Sequence, residues 1–480
     1  MLKNIRSNVL LFLISPCRIS LVWVPWVLCI VGFTLSMLTY YPGKPVMLML
    51  HEARTGVYTD WHPPIMAATI RCLFQICPNE LLGLGTLYVV VNVLFWSGFL
   101  LVLLSGKPFW ANKKTKKNWM VVVTLLLLLA IWIDILVVVS PFLSKDFTQL
   151  ACLLLATGML LNLSRKPICR MLVGVFILLL LFYGTMLRYN AVLGLLPMLY
   201  WLSLAIAPSK RFLSLLSACL LWYAFFSVSY AVNYHILHAY RFYSLHERFY
   251  ADIFMLNYFG SKYENPPNGF LNKFDDISEE SFRKNYLYRH MYVPEAFRYV
   301  SGETGRSFNL VYEGVQIVKE NEPKKKGAVT ESCIQTFAND YITLRNVWIR
   351  RIFQEPLSYI TVRSYFVLRF FFIDTPPIFM LVTCGTLSGV SLLAITTLLS
   401  FRVKHLFASP YVLLAWCTIL NGLPLFVFLP DDGPGNIRYL YWFYATAFIS
   451  VTCFCSQSNL FSGIVNSLQK FLENKVRPRK

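Results

Sequence analysis

Long apolar runs alternate with short polar connections along most of this chain. The runs lie at 18–40, 84–105, 119–140, 147–163, 171–187, 191–207, 213–233, 375–400, 407–429 and 438–455. Each approaches or exceeds the roughly 20 apolar residues with which an α-helix crosses a bilayer. The pattern predicts a mainly α, polytopic membrane protein of about ten transmembrane helices. Residues 1–233 form an N-terminal module of about seven spans. Residues 234–374 are a large insert with soluble-like composition, including DDISEESFRKN and NEPKKKG. Residues 375–480 hold the remaining spans and a basic tail.

The first polar connection, 41–83, is not featureless. PVMLMLHEARTG predicts a short helix ended by Gly56. Pro63-Pro64 predict the start of a second, since proline is preformed for a first helical turn. IMAATIRCLFQIC continues it, with Arg71 placed to snorkel. Both helices are expected to lie along the membrane interface.

Composition agrees with this layout. The chain has 480 residues, of which 56% are hydrophobic and only 14% charged, against about a quarter charged in soluble domains. The net charge of +20 is distributed largely as short clusters between apolar runs. It forms no basic groove interleaved with aromatics on a soluble domain, so no nucleic-acid partner is expected. The cysteines lie mostly inside apolar runs, where thiols act as small hydrophobes, and none has the CxxC spacing of a metal site.

The basic residues also set an orientation. Lys3, Arg6 and Arg18 precede the first run, and GKPFWANKKTKKN (106–118), SRKPICR (164–170), PSKRF (208–212), FRVKH (401–405) and ENKVRPRK follow alternate runs. With ten spans all fall on one side. The positive-inside rule then puts both termini in the cytoplasm and the insert outside.

On the outer face a few charged side chains stand out in YTDWHPP (58–64), Lys145-Asp146, Arg188 and Arg438. Asp60 precedes a helix start, where a carboxylate ordinarily caps backbone N–H groups. At a membrane surface the same carboxylate can act as a general base. Lys145 and Asp146 stand between the third and fourth spans, where a charge is costly unless paired, capping or functional. Arg188 and Arg438, on outer connections, are suited to anchoring lipid headgroups or one phosphate. Trp61 and His62 read as interfacial contacts and as candidates for touching lipid phosphate or sugar. No HExxH, nucleotide loop or GxSxG motif is present. Asp134 is the one charge well inside a span, weak support for a transporter.

The outer loop after the first span, its Asp-Trp-His-Pro-Pro run and the acidic residue after the third span resemble the GT-C membrane glycosyltransferases. The resemblance runs from residue 18 to about 207. That superfamily includes protein O-mannosyltransferases, the lipid A aminoarabinose transferase and O-antigen glucosyltransferases. Many members place a soluble domain after all spans; here the bulk lies between the seventh and eighth. The resemblance implies transfer of a sugar (glucose is one candidate) from a polyprenyl-phosphate donor to a glycan or lipid-glycan acceptor outside the cytosol, with inversion. By position Asp60 matches the first-loop aspartate and Asp146 the second acidic residue. Lys145, Arg188 and Arg438 would stabilise the leaving lipid phosphate. Some relatives bind a divalent cation, which Asp146 could help hold; no other cofactor is implied. The implied setting is a bacterial inner membrane with a periplasmic site and O-antigen or another lipopolysaccharide-type surface glycan as acceptor; an endoplasmic-reticulum membrane with a lumenal site is the alternative. The other function classes are an O-antigen polymerase and a lipid-linked-sugar flippase. Tyr250-Ala251-Asp252-Ile253 and Trp348-Ile349-Arg350-Arg351, in the insert, faintly resemble segments of related bacterial membrane proteins.

Overall fold

The computed structural model describes residues 24–38, 47–60, 63–105, 143–163, 167–188, 192–207, 210–240, 345–368 and 409–428, with isolated positions elsewhere. The runs at 119–140 and 375–400, Asp134, Trp61, His62, Arg438 and most of 241–341 lie outside the described residues.

The described chain is helical nearly throughout. The helices are α1 (Val24–Leu38), α2 (Met47–Thr55), α3 (Ile65–Ile76), α4 (Glu80–Ser105), α5 (Lys145–Leu161), α6 (Pro167–Met186), α7 (Val192–Ile206) and α8 (Arg211–Ala231). A π-helical turn, Val232–Ile236, extends α8. Later come α9 (345–354), α10 (Pro356–Leu368) and α11 (Pro410–Phe428). Two-residue strands, β1 (Gln316–Ile317) and β2 (Ala328–Val329), pair in parallel.

Among the described residues three helices are long and apolar enough to cross a membrane: α4, α6 from Ile168, and α8 with its π turn. The 26 residues of α4, at about 1.5 Å each, exceed the roughly 30 Å hydrocarbon core. Their outer faces expose Val89, Val90 and Val93, then Leu172, Val175 and Leu179, then Leu216, Leu220 and Tyr223. Such continuous apolar surface is costly in water and ordinary against lipid.

At the centre stands α5, where only Met159 and Leu161 escape burial. Its nearest neighbour, α4, touches it backbone to backbone. A Cβ added at Gly98 would sit 2.5 Å from the Leu155 nitrogen, and one at Gly158 would sit 2.7 Å from the Gly98 carbonyl oxygen. Small residues are what let helices approach this closely. Neither backbone can yield as a flexible side chain would. Gly98→Ala is therefore expected to destabilise the protein by about 1–3 kcal/mol, the usual cost of overpacking. A thermal melt in detergent checks this; an unchanged midpoint would contradict the contact.

Side-chain contacts give the relative directions of the helices. Tyr88 donates to the Ser36 carbonyl (2.6 Å), and Gly32 faces the Trp96 ring, so α1 and α4 run antiparallel. Phe95 packs on Phe147 and Asn162 donates to the Leu101 carbonyl (2.7 Å), so α4 and α5 run parallel. Gln149 reaches the Gly184 carbonyl (3.2 Å), making α5 and α6 antiparallel. Trp222 donates to Val192 (2.8 Å) and Ser214 to Ala207 (3.4 Å), so α7 and α8 are antiparallel too. Gly194 faces Asn421 and Met198 bonds Cys417, so α11 opposes α7.

Candidate functional site

The start of α5 and the ends of α6 and α8 meet the first loop at one end of the bundle. The loop is built by α2 and α3 and a return between them. Gly56 takes φ +75°, the left-handed conformation that ends α2, and its N–H donates to the Glu52 carbonyl (2.8 Å). Arg71, on α3, reaches the end of α2. Its guanidinium donates to the Ala53 (3.1 Å) and Arg54 (3.4 Å) carbonyls, two of the unsatisfied acceptors at the end of α2. Any side chain at Gly56 would collide with it. Arg54 meets Glu80 at 2.6 Å, joining α2 to the start of α4.

Residues 58–60 then run extended beside Tyr240. Tyr240 N–H donates to the Tyr58 carbonyl and Asp60 N–H to the Tyr240 carbonyl, both at 2.9 Å. This parallel bridge joins the first loop to the chain leaving α8, across most of the N-terminal module.

The capping role expected for Asp60 is corrected here. α3 begins after Pro64, and its N-cap makes no side-chain cap bond. Asp60 lies too far upstream, and Oδ2 accepts instead from the Tyr234 hydroxyl at 3.0 Å. Tyr234 sits in the π turn; such turns shift side chains out of the α-helical register. Asp60 remains only half-buried.

Three of the other charged residues singled out from the sequence gather at this end. Ser144 caps α5, accepting from Phe147 N–H (3.2 Å), which leaves Lys145 and Asp146 in its first turn. Both are buried. Arg188, two residues past α6, forms an ion pair with Asp146 through Nε and Oδ1. Asp146, the residue offered for a divalent ion, is thus bound to a guanidinium. Among the described residues no group of three or more His, Cys, Asp or Glu side chains is placed to hold a metal.

Glu52 also belongs to this cluster, and nothing in the sequence reading singled it out. It lies in α2, its side chain buried under the returning loop. Its Oε1 accepts both the Thr59 N–H (3.0 Å) and the Thr59 hydroxyl (2.7 Å). Burial pushes its carboxyl up to about 7; the Thr59 hydrogen bonds and the positive Lys145 oppose that rise, while negative Asp60 adds to it. Lys145 and Asp60 are thus near enough to Glu52 to act on its charge.

The shift has a sign for stability. The folded protein keeps a proton on Glu52 that the unfolded chain releases near its ordinary value of 4.5. Glu52 therefore contributes stability that is full below about 4.5 and is lost as pH rises through about 7. Glu52→Gln, which does not titrate, should flatten the fall of the melting midpoint across that window. A parallel fall in variant and parent would contradict the assignment.

A second polar cluster brings together the two short insert segments. Asp252 forms an ion pair with Arg363 of α10 and accepts from the Trp348 indole (2.7 Å) of α9. Phe249 packs on Trp348 at 4.8 Å. Arg351 pairs with Glu355 at 3.2 Å. Here the carboxylates neutralise buried guanidiniums of neighbouring segments, which fastens the fold of this region.

No family model, curated protein or solved structure matches the chain.

Proposed function

We propose that this protein is an integral-membrane glycosyltransferase that moves a sugar from a polyprenyl-phosphate carrier to an acceptor hydroxyl on the non-cytosolic face. One observation carries the reading. A half-buried carboxylate, Asp60, lies near enough to the buried Glu52 side chain to act on it, as does buried Lys145, at the end of a membrane-like bundle. A donor whose tail lies in lipid and whose sugar lies in water needs a site at that level.

The chemistry follows from the residues. An acceptor hydroxyl is a poor nucleophile until its proton is removed. Asp60 takes that proton on its carboxylate as the hydroxyl oxygen attacks the anomeric carbon. The bond from that carbon to the phosphate oxygen breaks on the opposite side, so the configuration inverts. Negative charge grows on the departing phosphate, where fixed cations lower the barrier. Lys145 and Arg438 are our candidates, with Arg188 third because it already serves Asp146.

The topology we propose has ten spans, both termini in the cytoplasm and the insert outside, in a bacterial inner membrane. The helix directions support it. α4 and α5 run parallel, which agrees with one span between them in sequence, the proposed 119–140. α11 leaves the basic 401–405 connection and opposes α7, as the positive-inside assignment demands. A cysteine introduced in the insert should react with an impermeant reagent from outside; labelling only after permeabilisation would overturn the orientation.

For the activity, purified protein in liposomes should transfer label from a polyprenyl-phosphate sugar to an added surface glycan, O-antigen being the first to test. Movement of the labelled lipid between leaflets without change to the glycan would indicate a flippase and reject the reading. The insert arginines give an O-antigen polymerase no added support, since Arg351 and Arg363 are engaged by Glu355 and Asp252.

A further inference from the structure

We infer that Glu52 is the positioning residue for Asp60, acting through Thr59; this rests on the glycosyltransferase reading above. An extended chain sends successive backbone groups to opposite edges. On one edge Tyr240 holds the Tyr58 carbonyl and the Asp60 amide. The Thr59 amide faces the other edge, and there Glu52 Oε1 takes it together with the Thr59 hydroxyl. The segment leading to Asp60 is therefore gripped from both sides. Glu52 is itself buried and fixed by α2, whose end is fastened by Arg71. Charge at Glu52 would do nothing for this grip that a neutral oxygen could not.

The geometry makes a division of labour. Tyr234 orients the Asp60 carboxylate and Tyr240 sets its height along the strand. Glu52 stops the loop from peeling away from α2. A misplacement of about 1 Å at a reacting group can cost on the order of 10²-fold. Donor binding, which depends on the lipid tail and on the cations, should feel it little.

The test uses the full-length protein in liposomes with a polyprenyl-phosphate sugar and an acceptor glycan. Glu52→Ala should lower kcat by roughly 30–100-fold and leave KM for the donor within about twofold. Glu52→Gln should recover kcat to within about fivefold, because its amide oxygen can accept the same two hydrogen bonds. Thr59→Val, which keeps the amide and loses the hydroxyl, should fall between them and serves if Glu52→Ala does not fold. The inference is overturned if Thr59→Val and Glu52→Ala both turn over normally, or if Gln is as poor as Ala. Failure of the parent reading looks different: Asp60→Asn would then retain full transfer, whatever the Glu52 variants do.

Discussion

Asp60→Asn is expected to cut sugar transfer by about 10²–10⁴-fold, the range that a positioned base supplies, while leaving the protein inserted and folded. The substitution suits the site. Asparagine keeps the shape of the side chain, and its carbonyl oxygen can still accept the Tyr234 hydroxyl. The backbone bond from residue 60 to Tyr240 does not involve the side chain. Half-burial means that losing the charge costs little stability. What disappears is basicity, because an amide cannot take the acceptor proton. Asp60→Glu separates charge from placement, since it restores a carboxylate one methylene too far out. Its transfer should recover only in part. Full activity of a folded Asp60→Asn would sink the general-base assignment.

The helical character and three of the long apolar helices were legible in the apolar pattern, for a physical reason. A span must be apolar over its whole length, so length and hydropathy suffice to mark α4, α6 and α8. Gly56 as the end of α2 and prolines before α3 were equally readable, because their backbone preferences are local. The site was half legible. Asp60, Lys145, Asp146 and Arg188 stood out as charges between apolar runs. Glu52 did not, since a glutamate in a short polar helix ordinarily faces water. Its burial arises only when residues 56–60 fold back over it, and Thr59 supplies the evidence for that seven positions on. Tyr234 is 174 residues from Asp60, and Trp348 is 96 from Asp252. Pairings at that range follow from which helix ends meet, and no local pattern announces them. The capping role for Asp60 failed for a related reason. Its amide and carboxylate are taken up by the chain leaving α8, whose proximity the sequence does not state.

Breaking the Asp146–Arg188 pair should have the largest effect on stability. Both side chains are buried at the junction of α5 and α6. Arg188→Met leaves a buried carboxylate without its guanidinium, and Asp146→Leu leaves the converse. Each single change is expected to cost about 3–5 kcal/mol. Replacing both together removes the uncompensated charge, and such apolar replacements are often neutral. The melting midpoint of Asp146→Leu/Arg188→Met in detergent should therefore return close to that of the parent. Activity need not follow stability, and that contrast decides what the pair is for. If Arg188 also faces the departing phosphate, the double variant should fold well yet transfer sugar at least tenfold more slowly, since a fixed cation near the growing charge is gone. Parental transfer by a stable double variant would assign the pair to helix packing alone and leave Lys145 and Arg438 as the phosphate's partners. A double variant as unstable as the singles would show that the hydrophobic pair cannot fill the site, and would move the weight of this junction from charge to shape.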